Sequence, residues 1–201
     1  MKRRYEAIPT FRPVGLGLHW PIYRFNGSLS RFTEAHRLLT YAKVRISTNP
    51  WFALQALCRA IDLLPDNPEL FNQRCLAYIE LFGYQAALKD IDRVIELAPN
   101  FFGPYLTQAN IRCRLGDIRG GMESFRWAGI LAQDKKIVAF TLFEMGVWAT
   151  KLCGHEAGKK IFEDAHELDP ENEKYAFMAR VRQVTPEEQM AERRKITLAV
   201  R

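Results

Sequence analysis

The chain has 201 residues, 48% of them hydrophobic, and a formal net charge of +6. No apolar run approaches the ~18–20 residues that a membrane-spanning helix requires. Cys58, Cys75, Cys113 and Cys153 are too few and too scattered for a disulfide framework and include no CxxC pair. A reduced, cytoplasmic setting without membrane insertion is therefore expected.

The charge is concentrated at the ends. Residues 1–33 carry Lys2, Arg3, Arg4, Arg12, Arg24 and Arg31 against Glu6 alone. The opening "MKRRYEAIPTFRPVGLG" has the basic start of a secretory signal but no apolar core after it, and Pro9, Pro13 and Pro21 argue against the amphipathic helix of a mitochondrial presequence. The tract "FRPVGLGLHWPIYRFNGSLSRF" holds no sustained period and reads as extended or looped, with a helix beginning only at "RFTEAHRLL". Arginine and aromatic residues interleave in it: Arg3, Arg4, Phe11, Arg12, Trp20, Tyr23, Arg24 and Phe25 are the candidate anchoring residues of an N-terminal arm. Three readings stand: a leader covering the first repeat, an anchor for an acidic protein surface, and nucleic-acid binding. The last is the weakest, because a base-stacking platform needs a continuous basic surface and the body of the chain is slightly acidic.

From residue 34 onward the chain is periodic. "AIDLLPDNPELF" from Ala60 returns as "VIELAPNFFGPY" from Val94 and as "AHELDPENEKYA" from Ala165. Pro65 cannot continue a helix, and Asn67-Pro68 offers an N-cap followed by proline at the first helical position, where its missing N–H costs nothing. Ala53-Leu57-Ala60, Ala87-Ile91-Val94, Gly121-Phe125-Ala128 and Gly158-Phe162-Ala165 repeat a small residue, a bulky one four later and a slim one three later. Steps of three and four place all three on one helix face, and the small residue lets a second helix approach closely. The preceding helices read Phe71-Cys75-Tyr78, Tyr105-Ala109-Arg112 and Leu142-Gly146-Ala149; the same stride gives Arg37-Tyr41-Val44 in the first pair. Arg37 in the bulky position, and Asn49-Pro50 in the turn, mark that first unit as degenerate. Asn172 starts a further helix to about Gln183, and Thr185-Pro-Glu-Glu188 is a capping box opening a polar one.

This pattern resembles the tetratricopeptide repeat over residues 34–170. The resemblance implies an all-α, right-handed superhelical array of antiparallel helix pairs. Its units are about 34–67, 68–101, 102–135 and 139–170, behind the arm 1–33 and before a capping helix and basic tail at 171–201. It further implies a binding groove lined by the first helix of each pair, here Leu38, Ile46, Asn72, Leu76, Ile79, Leu106, Asn110, Arg114, Phe140, Phe143 and Val147. Members that clamp a C-terminal carboxylate use Lys, Asn and Arg at positions that align here with Leu38, Ala42, Gln73, Gly103 and Thr107, so that clamp is not expected. The groove would take an apolar or amphipathic protein segment, or be filled by residues 1–33. The function expected is an adaptor or scaffold held in a larger complex by its basic ends. The alternatives are a structural part of a large assembly, such as a cytoskeletal or ciliary one with the acidic surface of tubulin as partner, and an RNA-binding helical repeat.

No enzyme is expected. The two histidines of "HEAGKKIFEDAH" are eleven residues apart where a zinc-protease helix needs four. Gly15-Leu-Gly17 and Gly120-Gly121 lack the lysine and preceding strand of a phosphate loop. Cys75 takes the small-residue position that Ala109 and Gly146 fill elsewhere, which packing explains. Glu163-Asp164 and Glu187-Glu188 read as solvated. No catalytic residue, metal site or cofactor is assigned.

Overall fold

The computed structural model describes residues 29–180, all of whose regular elements are helices: α1 (Leu29–Arg45), α2 (Pro50–Leu63), α3 (Pro68–Glu80), α4 (Tyr84–Leu97), α5 (Phe102–Arg114), α6 (Ile118–Leu131), α7 (Lys135–Cys153), α8 (His155–Leu168) and α9 (Glu173–Arg180). The arm residues 3–25 and the capping box at 185–188 lie outside the described residues. The helices belong to two compact units, α1–α6 and α7–α9. In the first unit each helix packs on the next; in the second, α8 packs against both α7 and α9.

Capping chemistry sets the boundaries. The Asn67 side chain accepts the Glu69 N–H at 2.9 Å, with Pro68 in the first turn of α3, and Asp134 accepts the Lys136 N–H at 2.8 Å to open α7. Pro50 starts α2 after Asn49. Three of the turns inside pairs, though not that between α1 and α2, take a residue with positive φ. Gly116 (φ 86°) supplies it between α5 and α6, and Gly154 (φ 90°) between α7 and α8. Between α3 and α4 it is Phe82, at φ 58°, that does so.

The small–large–small stripes are the cores. Ala53, Leu57 and Ala60 of α2 are buried with Ala35, Leu39 and Ala42 of α1, and Ala87, Ile91 and Val94 of α4 with Cys75 and Ile111. In the second unit Phe162 and Ala165 pack with Ala139, Phe143 and Tyr175. The small residues are steric requirements: a Cβ on Gly121 would sit 2.3 Å from Cys113 Sγ, and one on Gly146 2.8 Å from the Phe162 ring.

The first pair departs from the expected register. α1 buries Ala35, Leu39 and Ala42, with Ile46 buried just beyond its end, and leaves Arg37, Tyr41 and Val44 exposed. Twelve residues separate the small residue of the first helix from that of the second in Cys75/Ala87, Ala109/Gly121 and Gly146/Gly158, but eleven in Ala42/Ala53. One residue is missing before Pro50, so Ala42, not Tyr41, takes the close-approach position. Leu38, not Arg37, takes the bulky one and packs against the α1–α2 core. The degenerate reading of the first unit is thereby corrected: the motif is present, one residue later.

Candidate interaction surfaces

The expected groove residues fall into three groups. Ile46, Asn72, Leu106 and Phe143 are buried, and Phe143 is a core side chain in ring contact with Phe162 and Tyr175. Burial removes these four from any partner's reach. Leu38, Leu76, Ile79 and Val147 are half-buried and packed against the cores. Asn110 is half-buried and donates to the Leu106 carbonyl at 3.2 Å. Only Arg114 and Phe140 are exposed; the Arg114 guanidinium lies 5.6 Å over the Tyr84 ring. Phe140, Phe143 and Val147 belong to the second unit, the other eight to the first. With the register of α1 corrected, the positions aligned with the carboxylate clamp become Leu39, which is buried, and Lys43, which pairs with Glu69 of α3. Neither register gives α1 the lysine and asparagine of that clamp.

Between the helices of the first unit lies a polar slot that occurs twice. Arg74 of α3 donates from Nε and Nη2 to both carboxylate oxygens of Asp90 in α4, at 2.8 and 2.7 Å, and from Nη1 to Cys58 Sγ of α2 at 3.6 Å. Hydrogen bonds to Asp90 hold this guanidinium more firmly protonated than usual, against the opposing cost of burial. Thirty-four residues on, Gln108 of α5 occupies the place of Arg74. It accepts from Ser124 Oγ of α6 at 2.6 Å and donates to Asp92 of α4 at 2.7 Å. Each slot ties the first helix of a pair to its own second helix and to that of the preceding pair.

The two buried thiols, Cys75 and Cys113, are poor nucleophiles. Burial pushes Cys75 well above the ordinary thiol range, with Asp90 and Asp92 adding to it, and burial raises Cys113 with help from Asp117. A protonated thiol is a poor nucleophile. Among the described residues no three His, Cys, Asp or Glu side chains gather as metal ligands, and no helix is long and apolar enough to cross a membrane.

A surface not expected from the sequence lies on α6. Trp127 is 44% exposed and Ile130 60%, and Tyr105 of α5 faces the Trp127 ring at 6.5 Å between centroids. The equivalent positions elsewhere are charged: Arg59 and Asp62, Arg93 and Glu96, Asp164 and Glu167. Arg93 and Glu96 form an ion pair at 2.7 Å. The sequence signal for this surface lies in the period itself, at the outer positions of the second helices.

Paired helices of this length, each stacked through small residues on its neighbour, define the tetratricopeptide-type fold. Solved structures of that kind superimpose on the chain. MamA from Desulfovibrio magneticus RS-1 is 21% identical, with 83% of this chain and 93% of that one covered at a TM-score of 0.60. Pseudomonas aeruginosa PilF is 10% identical, covering 75% and 68% at 0.62. YrrB, described as a TPR protein with an unusual peptide-binding site, is 14% identical, covering 75% and 76% at 0.57. Identities this low speak for the fold alone. No protein-family model matches the sequence, and no curated protein matches it.

Proposed function

We propose that the protein is a non-catalytic interaction scaffold that takes an apolar segment of a protein partner over Tyr105, Trp127 and Ile130, with its basic ends as anchors on an acidic surface. One observation carries this reading: the outer face of α6 is aromatic and aliphatic at two positions where three other second helices are charged. A solvated helix face gains nothing from an exposed tryptophan, whereas Trp is a residue type in which interface energy concentrates. The half-buried Leu76 and Ile79 of α3 leave room for a lesser groove contact on the same unit. Tubulin-like acidic surfaces, and a cytoskeletal or ciliary place, suit the arginine-rich arm of residues 3–24.

The test replaces Trp127→Arg together with Ile130→Glu, which writes into α6 the charge pair that α4 already carries. The melting temperature should hold while the partners recovered by proximity labelling in the protein's own cells fall away. An unchanged partner set with an intact fold would refute the assignment of this face.

A further inference from the structure

We propose that residues 1–28 fold back over the open end of the first helix pair, so that the chain supplies its own cap. In the later pairs the outward stripe of the first helix reaches back to the pair before it: Arg74 to Cys58, and Gln108 to Asp92. The second helix does likewise, through Arg93 to Asp66. In the corrected register Tyr41 stands where Arg74 and Gln108 stand, and Arg59 where Arg93 does. Among the described residues no helix precedes α1. Tyr41 is left 44% exposed beneath the Arg45 guanidinium, and Phe52 is half exposed. These side chains share one face. Glu34 lies two helical turns before Tyr41, Arg59 two turns after Phe52, and Glu34 and Arg59 approach to 3.9 Å.

The occupant is argued from the tether. Residues 1–28 run directly into Leu29, and Asn26-Gly27 beside that junction is the dipeptide best suited to reverse the chain. The stretch behind it, Leu18 to Phe25, brings Trp20, Ile22, Tyr23 and Phe25. Eight extended residues span about 26 Å, and α1, with 17 residues, is about 25 Å long. The segment therefore matches the helix it would cover, and a short linker holds it there at an effective concentration of about millimolar. A pair whose outer side no described pair shields needs such a cover. The covered face belongs to α1 and α2 and is distinct from the α6 surface above.

The experiment is hydrogen exchange on the full chain, followed by mass spectrometry. Amides of residues 18–25 should exchange at least about tenfold more slowly than an unstructured chain. Tyr41→Asp with Phe52→Asp should abolish that protection while α5 and α6 stay protected. Trp20→Ser with Phe25→Ser should do the same from the other side. Free exchange of residues 18–25 in the unaltered chain would overturn the proposal, as would protection that survives both pairs of substitutions. Protection that appears only as the chain dimerises in sedimentation would overturn it too, giving the face to a second copy.

Discussion

The pairs α3–α4 and α5–α6 solve one geometric problem with different chemistry. In the first, Arg74 and Asp90 meet as a bidentate ion pair, both largely buried. In the second, Gln108 and Ser124 meet at the same two places as a neutral hydrogen bond. The third partner accepts in both but differs in kind: the Cys58 sulfur from Arg74, the Asp92 carboxylate from the Gln108 amide. In the first pair the two positions hold Tyr41 and Ala56, and in the last Met145 and Ile161. The repeat thus fixes where a side chain reaches, one helix across and sixteen residues along (fifteen in the first pair), and leaves its polarity open. A buried ion pair adds little over a neutral or apolar pair when complete, yet is costly when half removed.

That difference has a measurable size. Asp90→Ala strands the Arg74 guanidinium between α2 and α4 and should cost about 3 kcal/mol. Ser124→Ala, which leaves Gln108 its bond to Asp92, should cost about 1 kcal/mol. Replacing both members at once, Arg74→Gln with Asp90→Ser, copies the later slot into the earlier one and should restore most of the loss. Urea denaturation of the full chain distinguishes these outcomes. Equal losses for Asp90→Ala and Ser124→Ala would mean that the ion pair carries no special penalty.

The turns of the same two pairs give a second, smaller contrast. Gly116 and Phe82 stand at the same repeat position with positive φ, and only glycine adopts that conformation without steric cost. Phe82 is 78% exposed, and its ring meets Tyr84 edge-on at 6.3 Å. Phe82→Gly should therefore stabilise the chain by about 1 kcal/mol. A loss of stability instead would show that the ring holds the turn, and would remove the strain from the account.

How much of this could be read beforehand follows from which forces are local. The small–large–small stripes and Asn67-Pro68 were legible, because helix periodicity and capping are written within a few residues. The slip in α1 was not: a fixed stride of thirty-four carries the reader past the residue missing before Pro50, and only the burial of Ala42 reveals it. The groove was legible by position but not by depth. Phe143 sits where an inward residue should, yet Phe162 and Tyr175 close around it, and that depends on partners far along the chain. Trp127 and Ile130 were passed over for the opposite reason. An apolar residue on a helix is ordinarily core, and only the charged pairs at equivalent positions show that these two face outward.

The last contrast concerns Cys75 and Ala109, which fill the same close-approach position in α3 and α5. Burial raises the Cys75 thiol above its ordinary range, so the folded chain keeps a proton that the unfolded chain gives up from about pH 8.5. The stabilisation is complete below that pH and is lost progressively as the pH rises beyond it, because the unfolded state then binds fewer protons than the folded one. Between about pH 7.5 and 9 this single thiol should cost about 0.8 kcal/mol. Cys75→Ala, which gives α3 the residue that α5 already has, should flatten that part of the stability–pH curve. Cys113 and Tyr78, both raised first by burial, leave a residual slope that steepens towards higher pH. Denaturant titrations at the two pH values measure the difference, and an identical slope in the alanine variant would show that Cys75 loses its proton as readily in the fold as outside it.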